Sequence, residues 1–248
     1  MTAVLSVKGA SKRFGAVVGL DDVDLDVRAG EVLALLGDNG AGKSTLIKAL
    51  SGALPLDRGV IEMDGRRVSF HSPAAARNVG IETVYQDLAL FDNLRPSDNF
   101  YAGREAAGPR WLPQSIRVLR RKEMAATTKS TLERLQVRLD DHGAVGLLSG
   151  GQRQAVAVAR AAAFASRVVI LDEPTAALGL RESRRVLDLI LRLREEQKAV
   201  IVVSHAMDHV MEVADRAIVL RRGRKVGELV PNKETYAQIV SLIVGGGA

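Results

Sequence analysis

One segment near residue 40 constrains the fold more than any other part of the chain. Residues Gly37–Thr45 read Gly-Asp-Asn-Gly-Ala-Gly-Lys-Ser-Thr, between the strand-like run Glu31–Leu36 and the helical pattern Lys43–Ser51. Glycines without a Cβ let the backbone approach an anion, and the following helix adds its positive N-terminal end. The segment therefore predicts a strand, a phosphate loop (residues 37–45) and a helix, as in α/β domains with a parallel sheet.

The phosphate loop also predicts individual contacts. We expect Lys43 to bridge the β- and γ-phosphates of a nucleotide and the Ser44 hydroxyl to bind Mg²⁺. The loop residues expected to contact the nucleotide are Gly37, Asn39, Gly40, Ala41, Gly42, Lys43, Ser44 and Thr45.

A second apolar run delivers two carboxylates. Val168–Leu171 is strand-like, and Asp172 and Glu173 follow it directly. Ligands of open α/β sheets bind at the carboxyl ends of the strands, so we expect Asp172 to hold Mg²⁺ and Glu173 to polarise the attacking water. Since adjacent strand residues point to opposite faces, the two carboxylates are expected to serve these roles separately. Gln86 and His205 also follow strand-like runs and are expected to face the same crevice.

The pattern along the chain predicts one domain over residues 1–248. Strand-like and helical runs alternate after residue 30, and short strands at Val4–Val7 and Val17–Val27 suggest a small N-terminal antiparallel sheet. Asp64-Gly65 between two strand-like runs predicts a hairpin. In residues 95–145, Leu132, Leu135 and Leu139 recur at helical spacing, which predicts a helical insertion between core segments 1–94 and 146–248.

The amino-acid composition limits the kinds of protein that this chain can be. The chain has no cysteine, which excludes disulfides and thiolate metal sites. Apolar runs such as Ala199–Val203 are far shorter than the roughly 20 residues of a membrane span. Lys and Arg number 35 against 29 Asp and Glu, a modest excess that does not require nucleic acid as a partner. We expect a cytoplasmic protein that binds no nucleic acid.

A third motif identifies a family resemblance. Leu148–Gln154 reads Leu-Ser-Gly-Gly-Gln-Arg-Gln, a capping serine and two glycines at the start of a helical run. With the phosphate loop and the Asp172-Glu173 pair, this signature segment (residues 148–154) resembles the nucleotide-binding domains of ATP-binding-cassette transporters. The resemblance implies a P-loop NTPase fold of the RecA-like type, with ATP and Mg²⁺ bound. It also implies a head-to-tail dimer in which Ser149, Gly150, Gly151 and Gln152 contact the nucleotide of the other copy.

The same resemblance implies roles for three further residues. Gln86 corresponds to the glutamine that touches metal or water and links the site to the helical insertion. His205 corresponds to the histidine that contacts the γ-phosphate. Phe14 lies where the family commonly stacks an aromatic ring on adenine, an interaction that tolerates other bases.

One departure from the family pattern stands after Glu173. The family usually ends this stretch with an aspartate, and this chain has Gly179. The departure puts the coupling between the two active sites in doubt, although Glu173, Gln86 and His205 are all present.

A narrower resemblance points to the transported solute. Thr83–Gln86, Ser72–Ala74 with Arg77, and Glu173–Gly179 resemble the ATPase subunits of bacterial importers for ribose, xylose or fructose. This implies integral-membrane permease partners, an extracytoplasmic solute-binding protein acting indirectly, and a peripheral position at the cytoplasmic face of the membrane.

Other functions stay open from the sequence alone. Import of amino acids or another solute is the nearest alternative. A DNA-maintenance ATPase would need a long coiled coil, which an insertion of about 50 residues containing Pro96, Pro109 and Pro113 does not supply. A translation factor of this family normally carries two cassettes.

Overall fold

The computed structural model describes residues 3–108, 118–139, 141, 143–176 and 178–245. Its central layer is a six-stranded sheet, in which β12 alone runs antiparallel to its neighbour. In spatial order the strands are β12 (Arg224–Leu229), β11 (Arg216–Arg221), β3 (Val32–Leu36), β10 (Ala199–Val203), β9 (Val168–Asp172) and β6 (Ile81–Val84).

The centre of this sheet is buried on both faces. Every residue of β3 and β10 is buried, as are the first four residues of β9. Strands buried on both sides have continuous rather than alternating apolar sequences, which explains the composition of these three runs. Because β3, β6, β9 and β10 run parallel, their carboxyl ends meet at one edge of the sheet.

A second, four-stranded antiparallel sheet is formed by the N-terminal third of the chain. Its order is β2 (Val17–Arg28), β1 (Ala3–Phe14), β4 (Arg58–Met63) and β5 (Arg66–Val68). Asp64 and Gly65 connect β4 and β5 with φ angles of 48° and 72°, so the expected hairpin is confirmed. Strand β1 is much longer than the expected Val4–Val7, because its pairing with β2 continues through register shifts that the alternation does not reveal, whereas β2 exceeds the expected Val17–Val27 by one residue.

Eight α-helices lie in the described ranges. They are α1 (Lys43–Leu50), α2 (Pro73–Asn78), α3 (Pro96–Phe100), α4 (Arg121–Arg134), α5 (Gly150–Phe164), α6 (Leu180–Glu195), α7 (Met207–Val213) and α8 (Tyr236–Val244). Helix α6 buries Val186, Leu187, Ile190 and Leu193, the face expected from its spacing. Neither these eight nor any other described helix is long and apolar enough to cross a membrane.

The segment between β6 and α5 contains α3, α4 and a short antiparallel pair, β7 (Ala107–Gly108) with β8 (Val118–Leu119). Leu132 and Leu135 are buried as expected, but Leu139 is not part of the helix. Helix α4 ends at Arg134, and Gln136 adopts a left-handed φ of 55° that turns the chain away. Residues 109–117, which include Pro109 and Pro113, lie outside the described ranges, as does the C-terminal Gly246–Ala248.

Candidate functional site

A cavity of about 310 Å³ opens at the carboxyl edge of the central sheet. It collects nearly all the residues that the sequence assigns to the nucleotide and its metal. Its lining comprises Phe14, Val17, Val18, Gly19, Asn39, Gly40, Ala41, Gly42, Lys43, Ser44, Thr45, Gln86, Asp172, Glu173, Val203 and His205.

Two positions of the phosphate loop require glycine, each for a different structural reason. Gly42 has a φ of 106°, and a Cβ there would lie 2.6 Å from the carbonyl oxygen of Gly19. Gly37 is buried and does not line the cavity, unlike residues 39–45 of the loop. A Cβ on Gly37 would lie 2.3 Å from the carbonyl oxygen of Leu220, so this glycine permits close packing against β11.

Lys43 is held by the loop that it serves. Its Nζ donates hydrogen bonds to the carbonyl oxygens of Gly37 at 2.7 Å and Asp38 at 3.0 Å, and only 7% of the residue is exposed. Burial lowers the pKa of Lys43, while the nearby carboxylates of Glu173, Asp172 and Asp38 oppose that shift. The ammonium group is thus held by carbonyl oxygens of the phosphate loop, in the wall of the cavity.

Asp172 and Glu173 line the same cavity, which corrects the expectation that they face opposite sides of a strand. Strand β9 ends at Asp172, and Glu173 has a left-handed φ of 52°. That backbone conformation is uncommon for a residue with a side chain and clusters at functional sites. It turns the Glu173 side chain toward the phosphate loop.

The surroundings of the Glu173 carboxylate disfavour its ionised form. Its side chain is 16% exposed, and its Oε1 lies 3.2 Å from Nε2 of His205. The two side chains are not hydrogen-bonded, and Oε1 has no hydrogen-bond partner within the described residues. Burial raises the pKa of Glu173, and the nearby His205 partly opposes this; burial likewise raises the pKa of Asp172. A buried acceptor without a hydrogen-bond partner is rare in proteins, and such groups occur at catalytic sites.

Phe14 and Gln86 complete the rim of the cavity. Phe14 is the last residue of β1 and keeps 48% of its surface exposed. Gly19 lies so close to this ring that a Cβ there would be 2.8 Å from it. Gln86 is exposed two residues after the end of β6. Both side chains are therefore free to contact a bound molecule.

The loop after Gln86 is stabilised by a residue that the sequence pattern did not indicate. Leu88 and Ala89 have left-handed φ angles of 60° and 45°. The Arg160 guanidinium, on α5, donates to the carbonyl oxygens of Leu88 at 3.0 Å and Ala89 at 2.9 Å. Arg160 thereby connects the loop after Gln86 to the helix that begins at the signature segment.

The signature segment starts α5 with a capping box. The Ser149 Oγ accepts from the Gln152 backbone N–H at 3.3 Å, and the Gln152 Oε1 accepts from the Ser149 N–H at 2.9 Å. None of Ser149, Gly150, Gly151 and Gln152 lines the nucleotide cavity; Gly151 and Gln152 line a different one, beside α6. Within one copy, the signature segment and the phosphate loop are therefore separate.

A second residue not indicated by the sequence, Glu182, contacts the signature segment. The Ser149 hydroxyl donates to its Oε1 at 3.0 Å. The backbone N–H of Gly179 donates to its Oε2 at 3.4 Å. Glu182 thus joins the signature serine to the position where the chain departs from the family pattern.

The fold and the cavity together define a P-loop nucleotide-binding domain, and comparison with known proteins gives its family. Residues 20–176 match the family described as ABC transporter. The fructose import ATP-binding protein FrcA of Rhizobium meliloti is 48% identical over 244 residues, covering 98% of this chain and 94% of the relative. The chain belongs to the ABC transporter family as one of its ATPase domains.

Further relatives and solved structures agree. The xylose/arabinose import ATP-binding protein XylG of Sulfolobus acidocaldarius is 46% identical, covering 90% of this chain and 87% of the relative. A ribose import ATP-binding protein of Rubrobacter xylanophilus is 44% identical over 99% of this chain but only 48% of its own length. A nucleotide-free ATP-binding cassette from an ABC transporter, 25% identical, matches with a TM-score of 0.80 over 98% of both chains. The expected α/β P-loop fold is confirmed.

Proposed function

We propose that two copies of the chain close head to tail on two ATP molecules, each held between the phosphate loop of one copy and the signature segment of the other. The observation that carries this proposal is the separation of the two motifs within one copy. The cavity around Lys43 has no contribution from Ser149 or Gly150. Ser149 nevertheless begins a fifteen-residue helix with an exposed side chain, a suitable group for a phosphate presented by another molecule.

In this proposal the phosphates and Mg²⁺ are held by different atoms of the cavity. Lys43 and the backbone N–H groups of the phosphate loop bind the phosphate oxygens. The Ser44 hydroxyl, the Asp172 carboxylate and the Gln86 amide are oxygen donors suited to Mg²⁺. No group of three or more His, Cys, Asp or Glu in the described ranges is arranged to hold a metal, so such an ion would share its ligands with phosphate and water. Bound Mg²⁺ would neutralise charge that develops on the phosphates.

Hydrolysis is assigned to Glu173 and His205. The unpaired Oε1 of Glu173 accepts a proton from the attacking water, and the raised pKa makes that carboxylate a better base than a solvated glutamate. His205, 3.2 Å from that oxygen and half exposed, is placed to contact the γ-phosphate. Phe14, which is exposed and lines the same cavity, offers its ring face to adenine.

We further propose that this ATPase powers uptake of a simple sugar. Support comes from the names of the relatives, which are import ATP-binding proteins for fructose, xylose or arabinose, and ribose. In this assignment the two copies bind integral-membrane permease subunits at the cytoplasmic face of the membrane, and an extracytoplasmic solute-binding protein delivers the sugar. The Gln86 loop, tied by Arg160 to the signature helix, is suited to relay permease contacts to the site.

Replacing Glu173 with Gln tests the catalytic assignment. Because the shape is kept and the base is lost, ATP binding should persist while hydrolysis falls by ~10²–10⁴-fold. Equilibrium ATP binding and steady-state phosphate release by the purified protein measure both quantities. Glu62→Gln, which alters a carboxylate paired with Lys8 on the antiparallel sheet, is the matched control and should hydrolyse normally. Hydrolysis by Glu173→Gln at a rate comparable to that of the control would contradict the assignment.

A further inference from the structure

The Glu182 side chain makes three contacts around the signature segment. It lies in the first turn of α6, where it is the acidic residue of that turn. One carboxylate oxygen accepts from the Ser149 hydroxyl, and the other accepts from the Gly179 N–H. The stem of the side chain fills the space over Gly151, where an added Cβ would lie 2.7 Å from the Cβ of Glu182. Glu182 therefore fixes both the serine and the glycine that are proposed to face the partner's nucleotide.

The Ser149 hydroxyl has a single proton to donate. Its oxygen accepts from the Gln152 N–H inside the capping box, which leaves the proton as the group for an outward contact. In the isolated copy that proton is donated to Glu182. A phosphate oxygen of a second copy's nucleotide must displace the carboxylate to receive it.

The displaced contact is a charge-assisted one. Glu182 has no ion-pair partner within 4 Å among the residues that the structure describes. Its carboxylate oxygens therefore accept hydrogen bonds only from Ser149 and from the start of α6 in that part of the chain. Hydrogen bonds to an ionised acceptor are about twice as strong as neutral ones. Closing the dimer must therefore break a comparatively strong bond.

We propose that Glu182 is a positioning residue that holds the Ser149 hydroxyl ready and yields it to the partner's nucleotide. The inference rests on the proposed head-to-tail function. Gly179 stands in the place of the family's usual aspartate. The proposal assigns a role to Glu182, the carboxylate that follows Gly179 in the first turn of α6. The bond orients Ser149 before closure and sets the ATP concentration at which closure occurs.

Glu182→Gln separates the charge from the packing. Glutamine keeps the stem over Gly151, and its single acceptor oxygen can still accept from the Gly179 N–H. The Ser149 proton then loses its carboxylate acceptor and is held less strongly. We expect the ATP concentration for half-maximal dimerisation to fall about fivefold, with the thermal midpoint unchanged.

The experiment uses full-length chains that carry Glu173→Gln to prevent hydrolysis, with dimer formation followed by light scattering during an ATP titration. Glu123→Gln is the matched control, since Glu123 lies in the first turn of α4 and, among the described residues, pairs only with Arg120. Adding Ser149→Ala completes a double-mutant cycle. In the Ser149→Ala background, Glu182→Gln should cause no further shift.

Two results would overturn the inference. One is an ATP dependence of Glu182→Gln that matches the Glu123→Gln control. The other is a shift of equal size with and without Ser149, which would mean that the charge acts on the nucleotide directly. Both results require that the parent protein, which carries Glu173→Gln alone, dimerises when ATP is added. If the parent stays monomeric at saturating ATP, the proposed function itself fails, and the two failures are thereby distinguished.

Discussion

Glu173→Gln should stabilise the nucleotide-free protein even though it removes hydrolysis. The Glu173 carboxylate is mostly buried, its Oε1 has no hydrogen-bond partner within the described residues, and burial raises its pKa. A neutral amide of the same shape costs less to bury than an ionised carboxylate. Residues poised for catalysis often reduce stability in this way.

The magnitude follows from the charge on the unpaired oxygen, since the glutamine amide is equally buried but neutral. An unsatisfied buried acceptor costs ~1–3 kcal/mol, and more when it is ionised. Glu173 keeps partial exposure and a nearby His205, which places the effect at the lower end, ~1 kcal/mol. For a domain of this size that corresponds to a rise in Tm of roughly 2–4 °C.

Glu31→Gln is a matched control for which we expect a change in Tm of the opposite sign. Glu31 is 8% exposed, but its Oε1 accepts from Arg216 Nε at 2.8 Å and its Oε2 from the Arg28 N–H at 2.7 Å. Neutralising a buried, fully paired carboxylate weakens those bonds and should lower Tm. Thermal unfolding followed by circular dichroism compares the two variants. If Glu173→Gln lowered Tm as Glu31→Gln does, the reasoning about an unpaired carboxylate would be refuted.

The stabilisation should depend on pH with a defined sign. Because the folded-state pKa of Glu173 lies above its ordinary value of 4.5, the folded protein retains a proton that the unfolded chain has lost. The cost of ionisation is absent below the ordinary pKa, grows as pH rises and is complete above the raised pKa. The Tm difference between Glu173→Gln and wild type should therefore be largest at neutral pH and vanish in acid.

Two further substitutions test the contacts around the cavity. Lys43→Ala should weaken ATP binding at least about tenfold through the loss of charge-assisted bonds; equal affinities for Lys43→Ala and for Lys48→Ala, an exposed lysine of the same helix, would contradict its phosphate role. Arg160→Lys cannot donate to both carbonyls in the same geometry, so turnover should fall while ATP affinity, measured by equilibrium binding, stays unchanged. Arg134→Lys, which alters a surface arginine paired with Glu196, is the control for Arg160→Lys, and an equal turnover in the two proteins would count against a coupling role.

The parallel core and the phosphate loop could be predicted from the sequence because their signals are local. A continuous apolar run, a glycine-rich loop and a helical pattern follow one another within residues 31–51. The hairpin at Asp64-Gly65 is equally local. The error at Leu139 arose because helical spacing alone does not show where the backbone turns, which here happens at Gln136.

The contacts that complete the candidate site were not predictable in the same way. Glu182 lies 33 residues from Ser149, and Arg160 lies 71 residues from Ala89. Such contacts depend on how helices pack, and a charged residue on a helix surface has no local signal that distinguishes it from a solvated one. The backbone of Glu173 is a comparable case, since its left-handed φ moved the side chain to the face that strand alternation assigned to Asp172.

Mixing two inactive variants tests the shared active site most directly. Lys43→Ala disables the phosphate loop, and Ser149→Arg places a bulky cation where the signature segment must approach a phosphate. Each variant alone should be inactive, because both sites of its dimer lack one half. In an equal mixture, half of the randomly formed dimers carry one intact site, so phosphate release should recover to about a quarter of the wild-type rate. A mixture as inactive as its components, or a wild-type subunit that hydrolyses ATP at a concentration-independent specific rate while monomeric, would contradict the account.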